Sequence, residues 1–180
     1  GIRFGIESPK THPIVRECRG LILRSDDFSL VARSFNRFFN WGEVQEDMKD
    51  FDFSNFCVQT KEDGSLVLVF NFEGQWHVAT RGSFADGKLN GFDGTWAEAI
   101  MAGMGVSDLS DLDEYLNRYV CYVCEFCGPW NKVVRSYQRP VLHFLTAFRG
   151  EHELTQDELA MQWDNGAGSI FSPLNHHDFD

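Results

Sequence analysis

Lys61 is the residue in this chain whose type and surroundings best suit covalent chemistry. It lies in the turn-like segment TKEDGS (60–65), directly before a long apolar run. A neutral lysine amine can attack phosphorus, and nearby cations or burial favour that neutral form. Gly64 has no side chain, so the backbone there can approach a nucleotide closely. Taken alone, the same letters also describe an ordinary solvated turn, and the flanking residues must decide between the two interpretations.

Several arginines lie near apolar, strand-like segments on both sides of this lysine: Arg16, Arg19, Arg33, Arg37 and Arg81. Attack on a triphosphate needs a nucleophile in line with the leaving group and positive charge where oxyanions develop. Each arginine alone is better explained by a surface ion pair. Together with Lys61, however, they form a set that suits phosphoryl transfer.

Four further blocks occur around the lysine in order: ECRG (17–20), RSFNRFFN (33–40), TRGS (80–83) and CEFCGPWNKVV (124–134). In this order and at these separations, they resemble the phage RNA ligase 1 family of covalent nucleotidyltransferases. The resemblance runs from about residue 17 to residue 149. A KxDG lysine alone is shared with DNA ligases and mRNA capping enzymes, whereas the combined blocks point to this one branch.

The resemblance assigns roles to the charged residues. Lys61 matches the lysine that attacks the α-phosphorus of ATP, giving lysyl-AMP and pyrophosphate. Arg19, Arg37 and Arg81 match basic positions that handle phosphates, and at the last two the best-known relative has lysine. Arginine keeps the charge but can bind phosphate through two donors, so the exchange changes the geometry.

The remaining nucleotide contacts are also implied by the resemblance. Glu125 matches the glutamate that contacts the ribose, and Leu145 falls where an apolar side chain packs on adenine. Thr60, which directly precedes the lysine, is placed with the nucleotide-binding residues. The metal ligands stay unassigned.

The implied activity is that of an ATP-dependent RNA ligase. Such an enzyme uses ATP and Mg²⁺, transfers AMP to an RNA 5′-phosphate and seals that end to a 3′-hydroxyl. Two family motifs, EGxV and KxK, do not occur between Arg149 and Asp180, so we expect residues 1–180 to form one adenylyltransferase domain that is incomplete at both ends. The alternative is a non-catalytic remnant that binds nucleotide or RNA ends, and a DNA ligase or capping-type nucleotidyltransferase ranks last.

The composition restricts how such a protein binds RNA. The 180 residues carry a formal net charge of −11 and a pI near 4.9, which excludes binding through the whole surface because phosphate binding needs clustered cations. The expected nucleic-acid site is therefore local. The sequence has no apolar run long enough to span a membrane, and its five cysteines favour a reducing compartment. We expect a cytoplasmic protein with no membrane partner, and its oligomeric state is left open.

The patterning predicts an α+β fold of mostly antiparallel sheets with flanking helices, consistent with a nucleotidyltransferase (ATP-grasp-like ligase) adenylation domain. Hairpins are predicted over 21–35 and 65–80, and strands over about 119–126 and 141–148. Helices are predicted over about 94–104 and 107–119, and a last helix opens at Thr155, where Glu158 completes a capping box. The segment after Trp163 is turn-rich, and we expect no closing element there.

Two groups of residues have spacings that suggest a metal site. Cys121, Cys124 and Cys127 suit zinc by spacing, but on a strand the alternation of side chains places Cys124 on the opposite face from the other two. The His176-His177 pair has no clear partners in the sequence. The sequence therefore assigns a metal to neither group.

Overall fold

The computed structural model describes residues 9–49, 51–54, 58–131 and 135–173, with the backbone of 176–177. The last residues of the CEFCGPWNKVV block, 132–134, and the side chains of His176 and His177 lie outside this description. Nine strands occur in it: β1 Ile22–Leu23, β2 Leu30–Ala32, β3 Val58–Gln59, β4 Ser65–Phe72, β5 Gln75–Thr80, β6 Cys121–Cys127, β7 Val141–Arg149, β8 His152–Glu153 and β9 His176–His177.

The helical elements of the described residues are short. The α-helices are α1 Pro13–Glu17, α2 Glu46–Lys49, α3 Trp96–Met104, α4 Gln156–Gln162 and α5 Gly168–Ile170, with a 3₁₀-helix at Leu109–Glu114 and a wide helical turn at Trp163–Ala167. Among the described residues, no helix has the length and apolar character needed to cross a lipid bilayer.

A five-stranded sheet in the order β5-β4-β6-β7-β8 forms the centre of the fold, and each neighbouring pair is antiparallel. Two smaller antiparallel pairs, β1-β2 and β3-β9, lie outside it. The predicted α+β class with mostly antiparallel strands is thus confirmed, as are both predicted hairpins.

Strand β4, an interior strand of this sheet, is apolar along most of its length because both faces of the sheet are covered. Val67 and Val69 pack into a core with the helices, whereas Leu66, Leu68 and Phe70 pack on the other face with the β1-β2 hairpin. Alternating side chains of one strand therefore serve two separate apolar clusters. The face that carries the hairpin is also the face on which the charged residues of the next subsection meet.

Capping boxes begin two of the helices, and the second of them is the one that the sequence predicts. Thr95 and Glu98 form a capping box at the start of α3, and Thr155 and Glu158 form another at the start of α4. Each box satisfies backbone N–H groups that have no partner within the first helical turn.

The helix predicted over 107–119 is wrong, because only the 3₁₀-helix Leu109–Glu114 forms there. After this element the backbone bonds to side chains: Asn117 N–H donates to the Tyr122 hydroxyl at 2.9 Å, and Tyr119 N–H donates to the Asn117 side-chain oxygen at 2.9 Å. Side-chain acceptors of this kind compete with helical hydrogen bonds and end the element.

The expectation that no element follows Trp163 is also wrong. The turn Trp163–Ala167 and α5 follow it, and Ala167, Ile170 and Phe171 are buried in the helix-side core. Gly166 permits this path with a φ of 139°, a conformation that glycine adopts without steric cost.

Leu142 offers a test of the helix-side core. Its side chain, on β7, is 0% exposed, and replacing a buried leucine with alanine typically costs about 2–5 kcal/mol. We expect Leu142→Ala to lower the free energy of unfolding in urea by that amount. Met161→Ala, at a position 60% exposed, is the matched control, and equal losses for the two variants would contradict this packing.

Candidate active site

An open cleft of about 530 Å³ lies on the hairpin side of the large sheet. It contains five of the seven residues that the sequence singles out, together with others: Arg19, Phe35, Asn36, Phe38, Gln59, Thr60, Lys61, Glu62, Glu125, Leu145, Thr146 and Glu153. These come from chain segments more than 100 residues apart. The cleft therefore forms only when the sheet and the hairpin are assembled.

Lys61 lies in the loop between β3 and β4 and is exposed to the cleft. Thr60 lines the same cleft directly beside it. The described residues provide no ion-pair partner for the Lys61 ammonium, although its charge acts on the Glu125 carboxyl, whose pKa it lowers. The amine is thus accessible to a ligand in the cleft.

Tyr137 holds the loop that carries this lysine. Its hydroxyl donates to Glu62 Oε2 at 2.9 Å and accepts from the Asp63 backbone N–H at 3.1 Å. The Arg135 backbone N–H donates to Asp63 Oδ2 at 2.6 Å. Three hydrogen bonds from one segment therefore fix the two residues that follow the lysine.

Gly64 allows the loop to reach β6. A Cβ at this position would lie 2.8 Å from Cys127 Sγ and closer still to the Phe126 carbonyl oxygen. That carbonyl oxygen also accepts a hydrogen bond from Asn131 Nδ2 at 2.9 Å, so it has little freedom to move. The glycine is required here for close approach of two backbones, since its φ is not positive.

Glu125 extends from β6 into the cleft and accepts a hydrogen bond from the Gly64 N–H at 3.1 Å. Burial raises the pKa of this carboxyl, while the Gly64 N–H and the charges of Lys61 and Arg19 oppose that rise. The carboxylate is therefore a half-buried acceptor held against the loop, close to the candidate nucleophile.

A β-bulge places two consecutive residues of β7 on the cleft side. Val123 of β6 pairs with Thr146, whereas its neighbour Cys124 pairs with Phe144, which leaves Leu145 as the extra residue. In a bulge of this kind the strict alternation of side chains is interrupted. Both Leu145 and Thr146 consequently line the cleft, one apolar and one polar.

Arg19 follows α1 and packs against two neighbouring aromatic rings. Its guanidinium carbon is 5.4 Å from the Phe35 ring centroid and 5.0 Å from that of Phe38. Burial lowers the pKa of Arg19, and the charges of Arg81 and Arg37 lower it further. Its Nε is buried without a hydrogen-bond partner among the described residues, so an anionic oxygen would satisfy a donor that now has none.

Arg37 and Arg81 lie in a second cleft of about 360 Å³ that adjoins the first. Arg19 and Phe38 line both clefts, so the two spaces meet at these side chains. Three guanidinium groups therefore surround one recess. Like charges close together are unfavourable unless an anion joins them.

The other arginines of the set are paired with carboxylates. Arg16 binds Asp47 through two hydrogen bonds of 2.9 and 2.7 Å, and Arg33 lies 3.7 Å from Glu17. Among the described residues, no such ion pair forms at the three arginines of the recess. The structure thus separates structural arginines from those available to a ligand, which the sequence alone does not do.

Several cleft residues were not singled out from the sequence. Phe35, Asn36 and Phe38 belong to the RSFNRFFN block, which contributed to the family resemblance but received no individual roles. The local sequence gives no signal for Thr146 or Glu153. Thr146 faces the cleft because of the β-bulge, and Glu153 accepts a hydrogen bond from Thr146 Oγ1 through its Oε1 at 2.9 Å.

The three clustered cysteines do not share one site. Cys121 belongs to the hairpin-side cluster and Cys124 to the helix-side core, as the predicted alternation requires. Cys127 instead has its Sγ near Glu62 and His143, and the three possible ligand atoms lie within 4.8 Å of one another. Burial raises the pKa of the Cys127 thiol to about 11.

Known proteins match this chain over most of its length. A sequence model of an RNA ligase family matches residues 17–165. A protein of Autographa californica nuclear polyhedrosis virus, described as a bifunctional polynucleotide kinase/RNA ligase, is 31% identical over 159 residues, which are 81% of this chain and 23% of that protein. A Thermovibrio ammonificans protein described as an RNA ligase is 30% identical over 91 residues, 49% of this chain and 24% of its own. The chain thus spans about a quarter of the length of these relatives.

Solved structures show the same fold. Two variants of the Naegleria gruberi RNA ligase, both solved with AMP and Mn, superpose with TM-scores of 0.51 at 17% and 18% identity. Each match covers 68% of this chain and 36% of the other. At this identity the likeness concerns the fold alone. The family match over residues 17–165, on a fold shared with known RNA ligases, shows that this chain belongs to the phage-type RNA ligase 1 family.

Proposed function

We propose that the cleft binds ATP and that Lys61 takes AMP from it as the first step of RNA end joining. The observation that carries this proposal is the convergence of Lys61, Glu125, Arg19 and Leu145 in one cleft. Each is supplied by a different part of the fold. The set combines a nucleophile, an acceptor, a buried cation and an apolar surface, which are the groups that a nucleoside triphosphate requires.

The arrangement suggests a direction for the nucleotide. Leu145 and Thr146 offer a surface for the base at the β7 side of the cleft, and Glu125 offers an acceptor for ribose hydroxyls beside Lys61. The recess lined by Arg37 and Arg81 extends away from the cleft at Arg19. The β- and γ-phosphates would lie toward this recess, where positive charge is available. The Naegleria gruberi RNA ligase variants solved with AMP and Mn support nucleotide binding by this fold.

In the proposed first step, Lys61 Nζ bonds to the α-phosphorus, the bond from that phosphorus to the bridging oxygen breaks, and pyrophosphate leaves. Guanidinium groups near the leaving oxygens stabilise the charge that develops there. AMP then passes to an RNA 5′-phosphate, and a 3′-hydroxyl displaces it to form the new phosphodiester. Tyr137 contributes indirectly because it fixes the loop that carries the nucleophile.

Magnesium fits the oxygen ligands of this cleft. Mg²⁺ is usually held by one or two carboxylates together with substrate phosphates and water, and Glu125 and Glu153 supply carboxylates within the cleft. When bound, the ion would neutralise part of the negative charge of the triphosphate.

RNA binding is proposed to be local to the arginine recess. The chain carries a formal net charge of −11, so most of its surface repels phosphate. Cations without carboxylate partners concentrate where the two clefts meet. This distribution directs an RNA end to the cleft and away from the rest of the surface.

The first test is covalent labelling of Lys61. After incubation with ATP and Mg²⁺, we expect the chain to gain the mass of one AMP, and we expect Lys61→Ala to gain none because it lacks the amine. Lys49→Ala, at an exposed lysine of α2, is the matched control and keeps the label. Labelling of Lys61→Ala would contradict the assignment. Absence of label from both the parent chain and a longer form that also carries the EGxV and KxK motifs would favour the non-catalytic binding remnant.

Arg37 and Arg81 provide a test of the phosphate recess. Hydrogen bonds to charged groups contribute about 1.5–3 kcal/mol, so Arg37→Ala and Arg81→Ala should each lower the rate of pyrophosphate release roughly ten- to hundredfold. Arg24→Ala, which removes an arginine paired with Asp26 and Glu73, should leave the rate unchanged. Unchanged rates in both recess variants would contradict a phosphate role.

Gly64→Ala tests whether the loop must touch β6. The added methyl group overlaps the Phe126 carbonyl and Cys127 Sγ, and overpacking of this kind typically costs about 1–3 kcal/mol. We expect lower stability in urea and slower AMP labelling, because the displaced loop carries Lys61. Gly87→Ala is the matched control, since a Cβ there meets nothing within 4 Å. Equal labelling rates for the two variants would show that the loop tolerates displacement.

A further inference from the structure

Three side chains of metal-binding type meet beside the candidate nucleophile. Glu62 comes from the loop, Cys127 from the end of β6 and His143 from β7, and their potential ligand atoms lie within 4.8 Å of one another. They reach this position through long-range pairing, since Glu125 of β6 pairs with His143 and Cys127 pairs with Val141. No pattern of neighbouring residues in the sequence shows this group.

The environment of the group is anionic and enclosed. The Glu62 side chain is only 9% exposed, and its nearest cation is the Arg135 guanidinium at 3.8 Å, which is itself 64% exposed. Cys127 is completely buried, and the carboxylates of Glu125, Glu62 and Asp63 lie close enough to act on its thiol. A buried carboxylate is costly unless an opposite charge is close, and a cation between these groups would supply that charge.

Outer contacts orient two of the three side chains. The Tyr137 hydroxyl donates to Glu62 Oε2 at 2.9 Å, and His143 Nδ1 lies 3.5 Å from the Pro173 carbonyl oxygen. A hydrogen bond from Nδ1–H to that oxygen leaves Nε2 with its lone pair available. Metal-binding histidines and carboxylates commonly have outer partners of these two kinds.

We propose that Glu62, Cys127 and His143 bind one divalent transition-metal ion of the zinc class. A thiolate and an imidazole prefer zinc or cobalt, whereas magnesium prefers oxygen ligands, so this ion is distinct from the magnesium of the ligase reaction. Three protein ligands leave one position for water. Binding joins the nucleophile loop to β6 and β7, and it restrains the residue next to Lys61. The proposal does not depend on adenylate transfer.

This site is tested by treating the chain with a chelator to remove bound metal and then titrating it with Co²⁺ or Zn²⁺. We expect one ion per chain, a sulfur-to-cobalt charge-transfer absorption, and a higher Tm with Zn²⁺ because the ion binds only the folded state. Cys127→Ser and His143→Ala should each weaken binding by about tenfold or more, as loss of even outer-shell partners does. Cys127→Ser should also lose the absorption.

Matched controls make the result specific. Cys18→Ser and His152→Ala change a free cysteine and an exposed histidine outside the group, and both should bind as the parent chain does. Lys61→Ala should also bind normally, which separates this proposal from the proposed function. Absence of binding to the folded parent chain overturns the proposal. Unchanged affinity in His143→Ala, which replaces a half-buried residue and should fold, overturns it as well.

Discussion

At Gly64 the backbone that leads into β4 comes so close to β6 that no side chain fits between them. The same approach lets the Gly64 N–H donate to Glu125, so a cleft carboxylate and the nucleophile loop are fixed relative to each other by one contact. Tyr137 secures the preceding residues of the loop from the other side. The position of Lys61 is therefore determined by backbone geometry and by its neighbours, since its own side chain has no ion-pair partner within the described residues.

The arginines of this molecule fall into two groups, those that lie close to a carboxylate and those that do not. Arg16, Arg24 and Arg33 are each close to a carboxylate on the surface, whereas the three arginines of the recess face one another. An acidic chain can thus present a cationic pocket without an excess of basic residues. The mutual repulsion of Arg19, Arg37 and Arg81 is a cost to the protein that an anionic ligand would relieve.

Local features were predictable from the sequence. The hairpin of β4 and β5 and the capping box at Thr155 depend on residues only a few positions apart, and both form as expected. The helix over 107–119 was not predictable from its apolar spacing, because Asn117 and Tyr122 divert the backbone hydrogen bonds. For the site, the family blocks indicated Lys61, Arg19, Glu125 and Leu145, which the structure brings into one cleft, although their chemical roles stay predictions. The bulge, the bracing by Tyr137 and the ligand group at Cys127 depend on register between distant strands, which no local pattern specifies.

The hydrogen bonds from Tyr137 to the lysine loop join residues 74 and 75 positions apart in the chain, and β3, which leads into that loop, pairs with residues 176–177 near the other end. Contacts between residues so far apart in the chain form late, because the entropic cost of closing the intervening loop must be overcome before the contacts stabilise the fold. During synthesis the lysine therefore emerges long before the residues that position it. The loop of a partly synthesised chain therefore lacks its supporting contacts until β6, β7 and the segment between them have been added.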